Sequence, residues 1–218
     1  MVLKLHGIAM STCTKRVMVA LNEKGVEHEL VPVNFAQGEH KSPEYLNNLQ
    51  PFGKVPVLED TETGVKLFES RAIAAYVAVK YRGQGNEIAP AESDLKAYAQ
   101  YQQALSVENS YFDPPASGIA FEKVFKGMKG MGETDEAAVK AHLAQLDNAL
   151  QGYERILSKQ KYLAGDKVTL ADLNHLPYGA FVEQFGFKDL LSKYPAVQKW
   201  WEDLKARDSW QKIVAASS

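Results

Sequence analysis

The sequence predicts an α/β domain over residues 1–81, a linker at 82–91 and an all-α domain over 92–218. Three observations carry that division. Short strand-like runs alternate with helical periods only in the first part. Residues 82–91, Arg-Gly-Gln-Gly-Asn-Glu-Ile-Ala-Pro-Ala, are rich in turn formers and carry no apolar period. Beyond them the strand signals stop, and apolar residues recur at helical spacing.

In chain order, residues 2–6 read as a short strand. Residues 12–24 read as a helix, with Cys13, Val17, Ala20 and Leu21 on one face and Gly25 as its stop. Residues 29–35 read as a second strand, and Pro32, which has no N–H to give to a ladder, puts it at a sheet edge. Ser42-Pro43-Glu44 is a helix start: a cap, a proline at the first helical position, then an acid facing the dipole. Residues 54–59 and 65–68 read as a hairpin turning at 60–64, and Ser70 opens a helix through Ile73, Val77 and Tyr81. The order β-α-β-α-β-β-α, with its first two strands parallel through a right-handed crossover, is the α/β thioredoxin-like arrangement. In the second domain, residues 92–112 read as a helix broken by Asp113-Pro114-Pro115, and a further helix spans 116–131. A long amphipathic helix at 135–158 aligns Val139, Leu143, Leu146, Leu150 and Tyr153. Thr169-Leu170-Ala171-Asp172 has the form of a capping box, with Val168 and Leu173 at staple positions. A last clear helix runs over 195–207.

Composition narrows the function. A formal net charge of −2 gives no basic excess for nucleic acid or an anionic membrane surface, so neither is an expected partner. One cysteine, Cys13, excludes an intramolecular disulfide framework and a cysteine-cluster zinc site, and the five histidines have no metal-ligand spacing, so no metal is expected. The apolar stretch at the N-terminus is too short for a signal peptide, and no run reaches membrane-spanning length. The expected compartment is the cytoplasm, where glutathione is abundant.

Four patterns follow in order: Ser11-Thr12-Cys13-Thr14-Lys15-Arg16-Val17, Gly38-Glu39-His40-Lys41, Pro51-Phe52-Gly53-Lys54-Val55-Pro56 and Phe68-Glu69-Ser70-Arg71-Ala72-Ile73. Together they resemble the glutathione site of phi-class, serine-type glutathione transferases. Gly165-Asp166-Lys167-Val168-Thr169-Leu170-Ala171-Asp172 resembles that family's C-terminal folding motif, so the likeness spans nearly the whole chain. One departure is Lys54, where many phi members have glutamine. The resemblance implies the glutathione transferase fold, a homodimer with Phe52 at its interface, glutathione as co-substrate without a prosthetic group, and a role in detoxification.

The resemblance assigns Ser11 the catalytic hydrogen bond to the glutathione sulfur. Ser11 lies between a strand and a helix start, where a hydroxyl, free main-chain N–H groups and the positive end of the dipole all favour a thiolate. Lowering a thiol from a pKa of ~8.5 to ~6.5 raises its ionised fraction about 25-fold at pH 7. The loss of intrinsic nucleophilicity takes back about 8-fold. Most of the acceleration must therefore come from holding an electrophile beside the sulfur. By the same resemblance Thr12, His40, Lys41, Lys54, Val55, Pro56, Glu69 and Ser70 hold glutathione. His40 and Lys41 meet its glycyl carboxylate, a cis Val55–Pro56 turn meets its cysteinyl backbone, Glu69 meets its ammonium, and Ser70 meets its γ-glutamyl carboxylate. Met10, Phe35, Tyr111, Phe112, Phe121 and Tyr178 line the pocket for a hydrophobic electrophile.

Each residue has a plainer reading beside this one. Ser11 and Ser70 can be helix caps, His40 and Lys41 a solvated loop, Pro56 trans, and the aromatics at 111, 112 and 121 core. Cys13 reads as core packing, against a cysteine-dependent thiol transferase in which it would be reactive. The leading expectation is conjugation of the glutathione thiolate to hydrophobic electrophiles, with organic hydroperoxide reduction as a related activity. The alternative is a non-catalytic ligandin that carries hydrophobic metabolites.

Overall fold

A computed structural model describes residues 3–216. The strands are β1 (Leu3–Gly7), β2 (His28–Pro32), β3 (Val57–Asp60) and β4 (Lys66–Phe68). The helices are α1 (Thr12–Glu23), α2 (Pro43–Asn48), α3 (Ser70–Lys80), α4 (Leu95–Val107), α5 (Asp113–Ala120), α6 (Lys126–Met128), α7 (Glu136–Leu157), α8 (Leu170–Leu173), α9 (Leu176–Val182), α10 (Phe187–Leu191), α11 (Pro195–Lys205) and α12 (Asp208–Ala215). The chain forms two compact units, one reaching to Ala89 and taking back the residues from Asp208 onward, the other Pro90–Arg207.

The first unit has one sheet in the order β2-β1-β3-β4. β1 runs parallel to β2, with Leu5 opposite Leu30, and antiparallel to β3, with Leu5 opposite Leu58. β3 and β4 form the hairpin, closed at Gly64, whose N–H donates to Asp60 O at 2.9 Å. The alternation along β1 sends Leu3 and Leu5 into a core shared with Val17, Ala20 and Leu21 of α1 and Ile73, Ala74 and Val77 of α3. Val2, placed in the first strand by the sequence, lies outside the described residues. β2 is the edge strand that Pro32 requires, and it ends there, short of residue 35. The Val55–Pro56 peptide is cis, and β3 begins at the next residue, Val57.

The second unit is helical throughout its described elements. Leu146, Leu150 and Tyr153 of α7 meet Val197, Trp200, Trp201 and Leu204 of α11 in its core. The prolines at 114 and 115 do not open a loop. The chain stays helical through π turns at 108–112 and 121–125, and the Asp113 N–H reaches back to Glu108 O. Widening the turn ahead of the prolines puts both rings in the first turn of α5, where a missing N–H costs nothing. The capping box of α8 forms as expected, with Asp172 Oδ2 accepting the Thr169 N–H at 2.9 Å.

The last helix departs from the expected division at 92–218. α12 joins the first unit, where Asn22 Nδ2 donates to Ser209 O at 2.9 Å and Ser209 Oγ donates to Glu23 Oε1 at 2.5 Å. Trp210 and Ile213 are buried with it. No helix among the described residues is long and apolar enough to cross a membrane.

Candidate functional site

Ser11 stands immediately before α1 with extended backbone, and its Oγ accepts the Thr14 N–H at 3.2 Å. Its own N–H is spent on Ile8 O at 3.0 Å, which ties the helix start to the end of β1. Ser11 is half-buried and Thr12 buried, so the first turn of α1 offers a hydroxyl and main-chain amides at the positive end of the dipole.

Residues 38–56 are knit to one another by hydrogen bonds between side chains and main chain. Lys41 Nζ donates to Phe52 O at 3.0 Å, and the Tyr45 hydroxyl donates to Lys54 O at 2.8 Å. Gln50, buried, accepts the Phe52 N–H at 2.6 Å and the Lys54 N–H at 3.3 Å on its Oε1. The turn closes only because position 53 is glycine: its φ is 61°, and a Cβ there would meet His40 O at 2.5 Å. Burial, and then the Glu39 charge, push the Tyr45 phenol up to about 12, so it stays a donor. His40 is half-buried with its ring stacked on Phe35, centroids 4.0 Å apart. Burial, and then the Lys41 charge, hold its imidazole below the ordinary histidine value. The side chains of Lys41 and Lys54 are exposed.

Glu69 precedes α3 with φ 70°, the one non-glycine residue at positive φ among those described. Such backbone is strained for a residue with a Cβ, and it persists where the surroundings enforce it. Glu69 is the N-cap and makes no side-chain cap bond; Ser70 is the first helical residue and not the cap. The Ser70 hydroxyl, buried, accepts from Arg16 Nη1 at 2.9 Å. Arg16 lies within the first motif, where its residue type and spacing assign it no role. Arg16 and Gln50 are legible only in the structure; the signal available for Arg16 is a long polar residue inside an otherwise apolar helical face. Cys13 departs from the core reading: it is half-buried, and Arg16 Nη1 lies 3.8 Å from its Sγ.

Residues 1–79 match the family model for the glutathione S-transferase N-terminal domain, and 109–208 match that for the C-terminal domain. A glutathione S-transferase of Arabidopsis thaliana is 55% identical over 91% of this chain and 89% of its own length. A crystal structure of a glutathione transferase from Populus trichocarpa superposes with a TM-score of 0.93 at 38% identity, covering 100% of both chains. A glutathione S-transferase I from maize, solved in complex with an atrazine glutathione conjugate, has a TM-score of 0.89 at 39% identity over 99% of this chain and 97% of its own. The chain belongs to the glutathione S-transferase family. Its likeness is to the phi class, and it is a transferase enzyme with the family's two-part fold.

In this glutathione transferase the residues assigned to the second substrate divide. Met10, Tyr111 and Phe35 are exposed, at 69%, 60% and 40%, and Phe121 and Tyr178 are half-buried. Phe112 is different. It is 1% exposed, with its ring 4.5 Å from His175 and 5.7 Å from Phe187, so it packs the core of the helical unit and is removed from the pocket set. The π turn at 108–112 is the cause: it turns Tyr111 outward and Phe112 inward, an assignment that even helical spacing across the prolines does not give. No cluster of three or more metal-ligating side chains occurs among the described residues.

Proposed function

We propose that this enzyme holds glutathione across the starts of α1 and α3 and the segment 50–56, with Ser11 stabilising the thiolate. The observation that carries this reading is the Arg16–Ser70 bond, which ties α1, one turn past Ser11, to the first residue of α3. Two helix N-termini joined in this way suit a small peptide that bears a thiol and carboxylates. Thr12 adds a first-turn amide of α1, His40, Lys41 and Lys54 bind by charge and hydrogen bonding, and the main chain of Val55 beside Pro56 pairs with the cysteinyl unit. Glu69 takes the ammonium and Ser70 the γ-glutamyl carboxylate.

The reaction is attack of the glutathione sulfur on an electrophilic carbon. A C–S bond forms, the leaving group departs with its electron pair, and the thiol proton passes to solvent. Met10, Phe35, Tyr111, Phe121 and Tyr178 are the proposed contacts for an apolar electrophile, a class supported by the atrazine conjugate on the maize relative. The family likeness favours catalysis over carriage of ligands. Reduction of organic hydroperoxides, with two glutathiones oxidised to the disulfide and alcohol and water released, is a further activity open to the same thiolate. The enzyme works in the cytoplasm as a homodimer; Phe52 is 64% exposed and suits an apolar contact. A monomer mass in light scattering at micromolar protein rejects the dimer.

The deciding assay is glutathione conjugation to chlorodinitrobenzene by wild type and Ser11→Ala. Loss of a hydrogen bond to a charged sulfur is expected to lower kcat/KM by about 10- to 100-fold while glutathione still binds. Equal rates would remove Ser11 from the mechanism.

A further inference from the structure

Arg16 is 2% exposed, and its guanidinium crosses from α1 to α3 to meet a hydroxyl 54 positions away in sequence. A guanidinium has donors and no acceptor. The 2.9 Å bond from Nη1 therefore occupies a lone pair on Ser70 Oγ and leaves the hydroxyl hydrogen free for another acceptor. A cation donating to a hydroxyl also polarises it, which makes that hydrogen a stronger donor. The planar fork fixes this geometry in a way that a rotatable ammonium does not.

We infer that Arg16 is a positioning residue for the γ-glutamyl carboxylate of glutathione, acting through Ser70. It turns the Ser70 hydrogen outward toward the ligand and keeps the first turn of α3 in register with that of α1. The inference rests on the reading that Ser70 meets this carboxylate. A bracing role alone would join the two helices without any preference for what the ligand carries at that end.

The test compares the dissociation constants of glutathione and of γ-aminobutyryl-cysteinyl-glycine, which lacks only that carboxylate. Wild type is expected to favour glutathione about 100-fold, and Ser70→Ala to cut that preference to about tenfold. Arg16→Gln is expected to cut it to about tenfold as well, and the double variant to go no lower, because both changes remove one interaction. A wild-type preference in Arg16→Gln, or a double variant whose preference vanishes, overturns the inference. A wild-type preference in Ser70→Ala overturns the Ser70 reading itself and the inference with it. If Arg16→Gln does not fold, Arg16→Lys is scored against the same ratio.

Discussion

The starts of α1 and α8 use side-chain oxygens in opposite ways. Asp172, fully buried in α8, accepts the Leu163 N–H and the Trp200 indole N–H on one oxygen and the Thr169 N–H and hydroxyl on the other, at 2.9–3.1 Å. Every acceptor site faces a donor inside the protein. Ser11 Oγ, half-buried before α1, takes one bond at 3.2 Å, and Ser70 Oγ takes the Arg16 bond while keeping its hydrogen. A saturated polar group serves the fold; one with capacity to spare at a helix start can serve a ligand. Asp60 belongs with Asp172, since it accepts from Lys80, from the Tyr76 hydroxyl at 2.5 Å and from the Glu62 N–H at 3.0 Å.

Breaking the saturated end should cost most. Asp172→Ala strands four buried donors and is expected to lose about 3–5 kcal/mol, read as a fall in the urea midpoint. A loss under about 1 kcal/mol would mean that the network relaxes and the contrast with Ser11 is false. Asp60→Asn should cost less, about 1–2 kcal/mol at pH 7. Burial alone would raise its carboxyl, but the bonds from Lys80, Tyr76 and the loop outweigh that and hold it well below its ordinary value of 3.8. With the folded value depressed, the stabilisation is present above the unfolded value and is lost as pH falls through the folded one. Wild type should therefore lose stability below about pH 4 more steeply than Asp60→Asn, and parallel acid limbs would reject this assignment. The smallest effect on stability belongs to Ser11→Ala, about 1 kcal/mol or less, because it removes a single cap. A much larger loss would make Ser11 a structural residue first.

Much of this was legible from the chain. The parallel crossover and the hairpin were both legible, Pro32 marked the edge strand, and Ser42 and Thr169 announced their helices, while the antiparallel pairing of β1 with β3 was not read. The motif residues of the candidate site were legible as types at spacings. α9, α10 and α12 were not read, since runs of five to eight residues are too short for a helical period to stand out. Phe112 was misassigned because a π turn changes the face that later residues share.

Local chemistry, then, fixed what could be decided within a few residues: caps, turns, the strand edge, and the hydroxyl placed before a helix. The tertiary structure decided what depends on partners far along the chain. Glu23 meets Ser209 186 positions away, which draws α12 to the first unit, and Arg16 meets Ser70 54 positions away. The reason is that propensity and periodicity act over a turn or two of chain, whereas a buried polar group must find its partner wherever the fold brings one.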